Sequence, residues 1–317
     1  MQQSAFEYLR HGQTPFFRLP SWSPHQAGAD AADVPDVAVI GVPHDGGTTY
    51  QPGARFAPYH LRRTSALVQG FHPGYGFDVF DRLRCVDGGN VAFPPFDRDE
   101  MRGSVEAEAA LVARAGVTPL VVGGDHSVTL PILRALVAHH GPLAVVHVDA
   151  HLDLSGPEVW GDAFHHGTVM RHAVAEGLVA PGHLYQVGMR GPRGGADDDA
   201  LARDHGGHLY DLDDVVGRGP RRVAAEVRER IGPRLTYVSV DVDAIDPAYA
   251  PGTGTPVPGG LTSREVLALL RGLAGVRVAG ADVVEICPAL DHADLTCHLG
   301  AHLLWELLAL RAVAGPA

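Results

Sequence analysis

Three places in the chain gather carboxylates and imidazoles at short spacing. They are Gly123-Gly124-Asp125-His126-Ser127, Asp149-Ala150-His151-Leu152-Asp153 and Asp241-Val242-Asp243, the last running on to Asp246-Pro247. Each follows a short apolar run. The i, i+2, i+4 spacing of Asp149, His151 and Asp153 is that of side chains turned to one side of a strand end, with Ala150 and Leu152 on the other. Carboxylates crowded at a buried strand end repel one another and are costly to desolvate unless cations neutralise them. Asp149, His151, Asp153, Asp241 and Asp243, together with His126, make six ligands. That is enough for two divalent ions, with Asp149 and Asp241 as bridging carboxylates. Singly the pieces say less: a DxD after a strand reads equally as a solvated turn, and GGDHS as a helix N-cap. Gly123 and Gly124 allow a tight strand-to-helix turn close to the ligands, or are plain turn residues.

The elements that must position these residues are legible as alternation. Apolar runs at 37–43, 83–91, 119–124, 143–150, 184–191, 207–213, 236–246 and 278–287 are short, rich in Val, Ile and Leu, and bounded by Gly, Pro or Asp. That pattern predicts strands buried on both faces. Helical periodicity occupies 104–115, 127–140, 168–177, 220–231, 262–274 and 293–313, and Thr262-Ser-Arg-Glu265 forms a capping box. Strand–helix alternation predicts an α/β chain with a mainly parallel sheet and helices on both faces, where ligands collect beyond the carboxyl ends of the strands. Residues 1–36 lack periodicity and read as an irregular N-terminal arm that packs on the body or on a neighbouring subunit. Residues 37–317 read as one domain.

Composition narrows the partners. The chain has 317 residues, a formal net charge of −12 and no lysine. An acidic surface argues against nucleic acid or an anionic membrane as partner and mildly favours a cationic small molecule. The hydrophobic share of 45% supplies a packed core and excludes global disorder. Three cysteines fit neither a disulfide framework nor a CxxC metal pattern, so a reduced, cytoplasmic setting is expected. No run approaches the roughly 18 apolar residues of a membrane span, and the N-terminus lacks a signal peptide's apolar core.

From about residue 37 to 310 the sequence resembles the ureohydrolase family of arginase, agmatinase, guanidinobutyrase and proclavaminate amidinohydrolase. The resemblance rests on Gly41-Val-Pro-His-Asp-Gly-Gly-Thr-Thr-Tyr50, Pro52-Gly-Ala-Arg55-Phe56, GGDHS, DAHLD, His166-Gly-Thr168, SVDVDAIDPAYAPGTGTPVPGG (239–260) and Val284-Glu285. The GTTY-QPGARF and PALDHADLT segments place it nearer the agmatinase and proclavaminate amidinohydrolase branch than the true arginases. The resemblance implies a three-layer α/β/α arginase-like fold with about eight strands, and a homo-oligomer, trimeric or hexameric. The long N-terminal arm and the apolar C-terminal helix are the candidate contacts. It implies two Mn²⁺ ions, with Ni²⁺, Co²⁺ or Zn²⁺ as alternatives. His126, Asp149, Asp153 and Asp241 would hold one ion, and Asp149, His151, Asp241 and Asp243 the other. Water shared between the ions would be activated, with Asp153 orienting it. His166, with a pKa near neutral, would shuttle the proton to the departing amine, and Glu285 would pair with the guanidinium. The products would be urea and an amine. Either His165 or His166 could instead cap the following helix.

The tail-reading loops depart from the family pattern. Leu154 stands where Thr is usual, and Val169-Met170 follow Gly-Thr where Pro-Phe is common. Agmatine itself is therefore not the expected substrate. Glu158 and Asp162 would favour a cationic tail, Arg190 and Arg193 a carboxylate, and Trp160, Val169 and Met170 a larger apolar compound. Thr253 and Thr255 are expected to shape the pocket floor. Two rivals stand against this reading: a deacetylase-like hydrolase with a single Zn²⁺, and a catalytically silent family member acting as a binding or structural subunit.

Overall fold

The computed structural model describes residues 14–26 and 34–315. All eight apolar runs form strands: β1 (Val37–Gly41), β4 (Cys85–Asn90), β5 (Thr118–Val122), β6 (Leu143–Val148), β7 (Val179–Met189), β8 (His208–Asp211), β9 (Leu235–Asp241) and β10 (Arg277–Val284). They make one sheet in the order β4-β1-β5-β10-β9-β6-β7-β8, with every pairing parallel. Two short strands, β2 (Phe71–His72) and β3 (Phe77–Asp78), form a separate antiparallel ribbon.

Period-two alternation sends successive side chains of each strand into different cores. On β1, Val37 and Val39 enter one core and Ala38 and Ile40 the other. The first core is covered by α1 (Ala57–Ser65), α5 (Pro220–Ile231), α6 (Ser263–Gly272) and α7 (Leu295–Ala314). The second is covered by α2 (Arg98–Arg114), α3 (Thr129–His140) and α4 (Val169–Ala175). This is the three-layer α/β/α arrangement that the alternation predicts. The Thr262 cap forms as its sequence implies. Glu265 N–H donates to Thr262 Oγ1 at 3.2 Å, and Thr262 N–H to Glu265 Oε2 at 2.8 Å.

Both elements offered as subunit contacts are drawn into the chain's own body where they are described. Helix α7 buries Leu299, Leu303, Leu304, Leu307, Leu308 and Leu310, which accounts for its apolar character as core. In the arm, Phe16 and Phe17 are fully buried, and Arg62 stacks over the Phe16 ring at 4.1 Å. The Phe16 N–H donates to Asp87 Oδ2, Trp22 N–H donates to Asp87 O, and Asp87 N–H donates to Pro20 O. The rest of the arm, residues 1–13 and 27–33, lies outside the described residues. Among the described residues no helix is long and apolar enough to cross a membrane.

The order of the strands decides the chemistry. β5, β10, β9 and β6 lie side by side at the centre, and their carboxyl ends deliver His126, Glu285, Asp241 and Asp149 respectively. His126 and Glu285, about 160 positions apart in sequence, therefore meet across a single strand spacing of about 4.8 Å.

Candidate metal centre

The strand-end model of Asp149–Asp153 needs correction. β6 ends at Val148, and Asp153 sits in the left-handed region at φ 53°. The three ligands converge because the chain turns tightly after the strand, rather than by strand alternation. Holding a non-glycine residue there carries a strain cost. Asp149 and Asp153 are buried, while the His151 side chain is 41% exposed.

Two groups of ligand atoms converge. In the first, His126 Nδ1 stands 3.0 Å from Asp149 Oδ2, 3.0 Å from Asp153 Oδ2 and 3.3 Å from Asp241 Oδ2. In the second, His151 Nδ1 lies 2.9 Å from Asp243 Oδ2 and 3.5 Å from Asp149 Oδ1. All six residues expected as ligands are therefore together, with Asp149 common to both groups. Sequence reasoning passed over His147 on β6, whose Nε2 is 2.7 Å from Asp149 Oδ2 and which Gln186 holds at Nδ1. Its signal was a histidine inside an otherwise apolar strand.

A buried relay fixes the state of His126. Ser239 Oγ–H donates to Asp282 Oδ1 at 2.6 Å, so the 2.8 Å contact between His126 Nε2 and Ser239 Oγ is an N–H donation from the imidazole. Asp282 is held in turn by Thr129 and Tyr237 hydroxyls at Oδ2. With the proton on Nε2, Nδ1 presents a lone pair to three carboxylate oxygens, and it has no hydrogen-bond partner. Four acceptors facing one another are satisfied only by a cation, so the residues fit a metal ion. Without one, a proton takes its place: burial alone would lower the His126 pKa, but Asp149, Asp153 and Asp241 hold it well above the usual value. The crowding shows in the carboxylates. Burial, Asp243 and Asp149 push Asp241 well above the usual carboxylate range, and burial and Asp149 raise Asp243. Asp149 is held well below that range despite its burial, because His147, His126 and His151 surround it.

The two adjacent histidines divide their roles. His165 accepts from Gly167 N–H at Nδ1 and caps the turn before α4. His166 instead meets Glu285, with Nδ1 2.8 Å from Oε1, and its Nε2 lies 2.7 Å from Thr49 Oγ1. Burial would lower the His166 pKa, but Glu285 overrides it and pushes it up to about 9, above the near-neutral expectation. Glu285 has its own left-handed backbone (φ 62°) and receives the His126 N–H at the same Oε1. The HDGGTTY…PGARF motif acquires a purpose here. Asp45 binds Gly53 N–H and Arg55, and Asp125 binds Gly47 N–H, so the loop carrying Thr49 is pinned against His166.

A cavity of about 710 Å³ opens over the centre. His126, His151, Asp153, Asp241, Asp243 and His166 line its inner end, and Thr255, 3.4 Å from Asp243 Oδ2, lies beside them. Glu158, Trp160 and Arg193 also line it, as do Asp197, Asp198 and Asp204, which the sequence analysis did not single out. Glu285 does not line the cavity; it stands behind His166. Other expectations fail. Val169 and Met170 are buried in the second core. Asp162 is paired with Arg98, and Thr253 bridges to Ile286. Arg190 borders the cavity, but backbone carbonyls occupy its guanidinium.

Carboxylates and imidazoles at the carboxyl ends of central parallel strands, open to a deep cavity, define a metal-dependent hydrolase of the α/β class. Residues 35–310 match the model described as Arginase family, and the chain belongs to that family. It is 44% identical to the proclavaminate amidinohydrolase of Streptomyces clavuligerus, over 94% of this chain and 93% of that protein. It is 42% identical to a guanidinopropionase of Pseudomonas aeruginosa, over 94% and 91%. The solved structure of the Streptomyces clavuligerus amidinohydrolase superposes with a TM-score of 0.88, covering 95% of this chain and 98% of that one. The protein is accordingly a C–N hydrolase.

Proposed function

We propose that this protein is a binuclear amidinohydrolase, with Mn²⁺ as its native ion, that hydrolyses the guanidino group of a linear guanidino compound to an amine and urea. The observation that carries the reading is the His126 Nδ1 lone pair aimed at three carboxylates, beside a second ligand group that shares Asp149, both at the floor of one cavity. Hard carboxylates with two imidazoles suit Mn²⁺. Two such ions, when bound, supply a nucleophile by lowering the pKa of the water they share. Glu158, Asp197, Asp198 and Asp204 in the cavity lining favour a cation, and Asp153 would orient the attacking water. His166, whose imidazolium form the adjacent Glu285 favours, donates from the cavity wall to the departing amine. Glu285 keeps that proton in place, and any pairing of Glu285 with the guanidinium falls to Oε2. The similarity to a proclavaminate amidinohydrolase and a guanidinopropionase supports a guanidino compound as substrate.

The substrate is expected to be a linear guanidino compound other than agmatine. A cavity of about 710 Å³ falls in the range of about 300–1,000 Å³ that accommodates drug-sized ligands, and its lining mixes Trp160 with charges of both signs. We further infer a homo-oligomer, trimeric or hexameric, in the cytoplasm, where three buried free thiols persist. The test is urea release with Mn²⁺ across agmatine, 4-guanidinobutyrate, arginine, guanidine and larger guanidino amides. A linear compound other than agmatine is expected to be preferred. Agmatine turnover at kcat/KM of about 10⁴ M⁻¹s⁻¹ or more would make the protein a plain agmatinase. Two bound ions and no urea from any compound would point to a silent family member, and one tightly held zinc per chain to the deacetylase-like rival.

A further inference from the structure

We propose that Arg190 is a positioning residue that builds the His151 half of the metal centre by capturing backbone carbonyls. The two halves differ in support. His126 is fully enclosed and held by the Ser239–Asp282 relay, whereas His151 is 41% exposed and rests on loops. Arg190 is what joins those loops. Its Nη2 donates to Asp243 O at 2.7 Å and its Nη1 to Ala244 O at 2.9 Å, gripping the backbone of a ligand residue. On the other side Nε reaches Val257 O and Pro258 O, and Nη2 also reaches Val257 O. That stretch follows directly on Thr255, which contacts the Asp243 carboxylate. The backbone of the same residue completes the clamp: Arg190 N–H donates to Ala150 O, and Ala150 N–H donates to Asp243 Oδ1 at 3.1 Å.

The chemistry of the acceptors decides between a structural fork and a substrate contact. Four of the guanidinium N–H groups donate to carbonyl oxygens. Of the five donors only one Nη1 N–H remains, too few for bidentate pairing with a substrate carboxylate. A Cβ added at Gly260 would lie 2.6 Å from Arg190 Nη2, so glycine at that position leaves the room the fork occupies. Its charge also lies beside Asp243, Asp246, Asp149 and Asp241, where it offsets part of the repulsion in the ligand cluster.

The inference rests on the binuclear reading and is tested on metal binding as well as activity. Metal-free wild type, Arg190→Lys and Arg190→Gln are titrated calorimetrically with Mn²⁺, and their melting temperatures and KM at saturating Mn²⁺ are measured. Lysine keeps the charge without the fork, and glutamine keeps two donors without the charge, so a folding failure of one leaves the other. Residues that hold a metal's ligands in place are typically worth about 10–100-fold in affinity. One of two sites is expected to weaken at least tenfold in both variants while the other holds, with KM unchanged once metal saturates. A raised KM with unaltered metal affinity would overturn the proposal in favour of a substrate contact. Equal weakening of both sites with a lowered melting temperature would reduce Arg190 to general scaffold. A single ion in the wild type would overturn the binuclear reading itself.

Discussion

Glu285→Gln should return His166 to an ordinary or lower proton affinity, and the size of the effect follows from the pair's geometry. The two groups lie 2.8 Å apart, both buried, and the carboxylate lifts His166 to about 9 against burial that would lower it. Relative to an unperturbed value of about 6.5, that is roughly 3 kcal/mol at 1.36 kcal/mol per unit. Glutamine keeps the shape and removes the charge, so burial prevails and His166 should titrate below about 6.5. The sign for stability follows. A histidine whose folded pKa is raised contributes fully below its unfolded value, and the contribution is lost as pH rises through the folded one. Metal-free wild type should therefore lose about 3 kcal/mol of unfolding free energy from this group between about pH 6.5 and pH 9, and Glu285→Gln should not. The assay is an NMR titration of histidine-labelled, metal-free protein, with His166 assigned through His166→Asn, beside urea unfolding at several pH values. A Glu285→Gln protein in which His166 still titrates near 9 would refute the reasoning. Asp125 and Asp153, which also raise it, would then be holding the proton.

Other consequences follow from the relay, the shuttle and the glycines. Ser239→Ala removes the acceptor of His126 Nε2–H and should weaken one ion by about 10–100-fold, read by chelator competition; unchanged affinity would dismiss the relay. His166→Ala should slow urea release by about 100-fold or more with both ions retained by elemental analysis, and loss of metal would assign His166 to the ligand set. Gly124→Ala should yield no folded protein, because the new Cβ would overlap the His44 carbonyl oxygen and lie 2.9 Å from His44 N. Gly103→Ala, in the exposed interior of α2 with nothing near an added Cβ, should instead raise stability by about 0.5–1 kcal/mol, measured as a higher melting temperature.

What could be read in the sequence was what lies close together in it. Asp149, His151 and Asp153 are neighbours, as are Asp241 and Asp243, so their clustering needed no fold to be seen. Parallel strands buried on both faces announce themselves as apolar runs, and all eight did. The same property hid the supporting shell. Ser239 and Asp282 sit inside apolar strands 43 positions apart and look like isolated polar interruptions until β9 and β10 pair and set Ser239 opposite Asp282. Spacing also misled at Asp153, where alternation suggested an extended strand end and the backbone instead turns left-handed. Arg190 marks a different kind of limit. A side chain that seeks a carboxylate leaves a complementary residue to be found, but one that binds carbonyls does not, since every residue supplies a carbonyl. Its partners between residues 243 and 258 are chosen by backbone path alone. An arginine bordering a cavity is read from sequence as a ligand for substrate, and the reading changes only when the loops that consume most of its donors are in place.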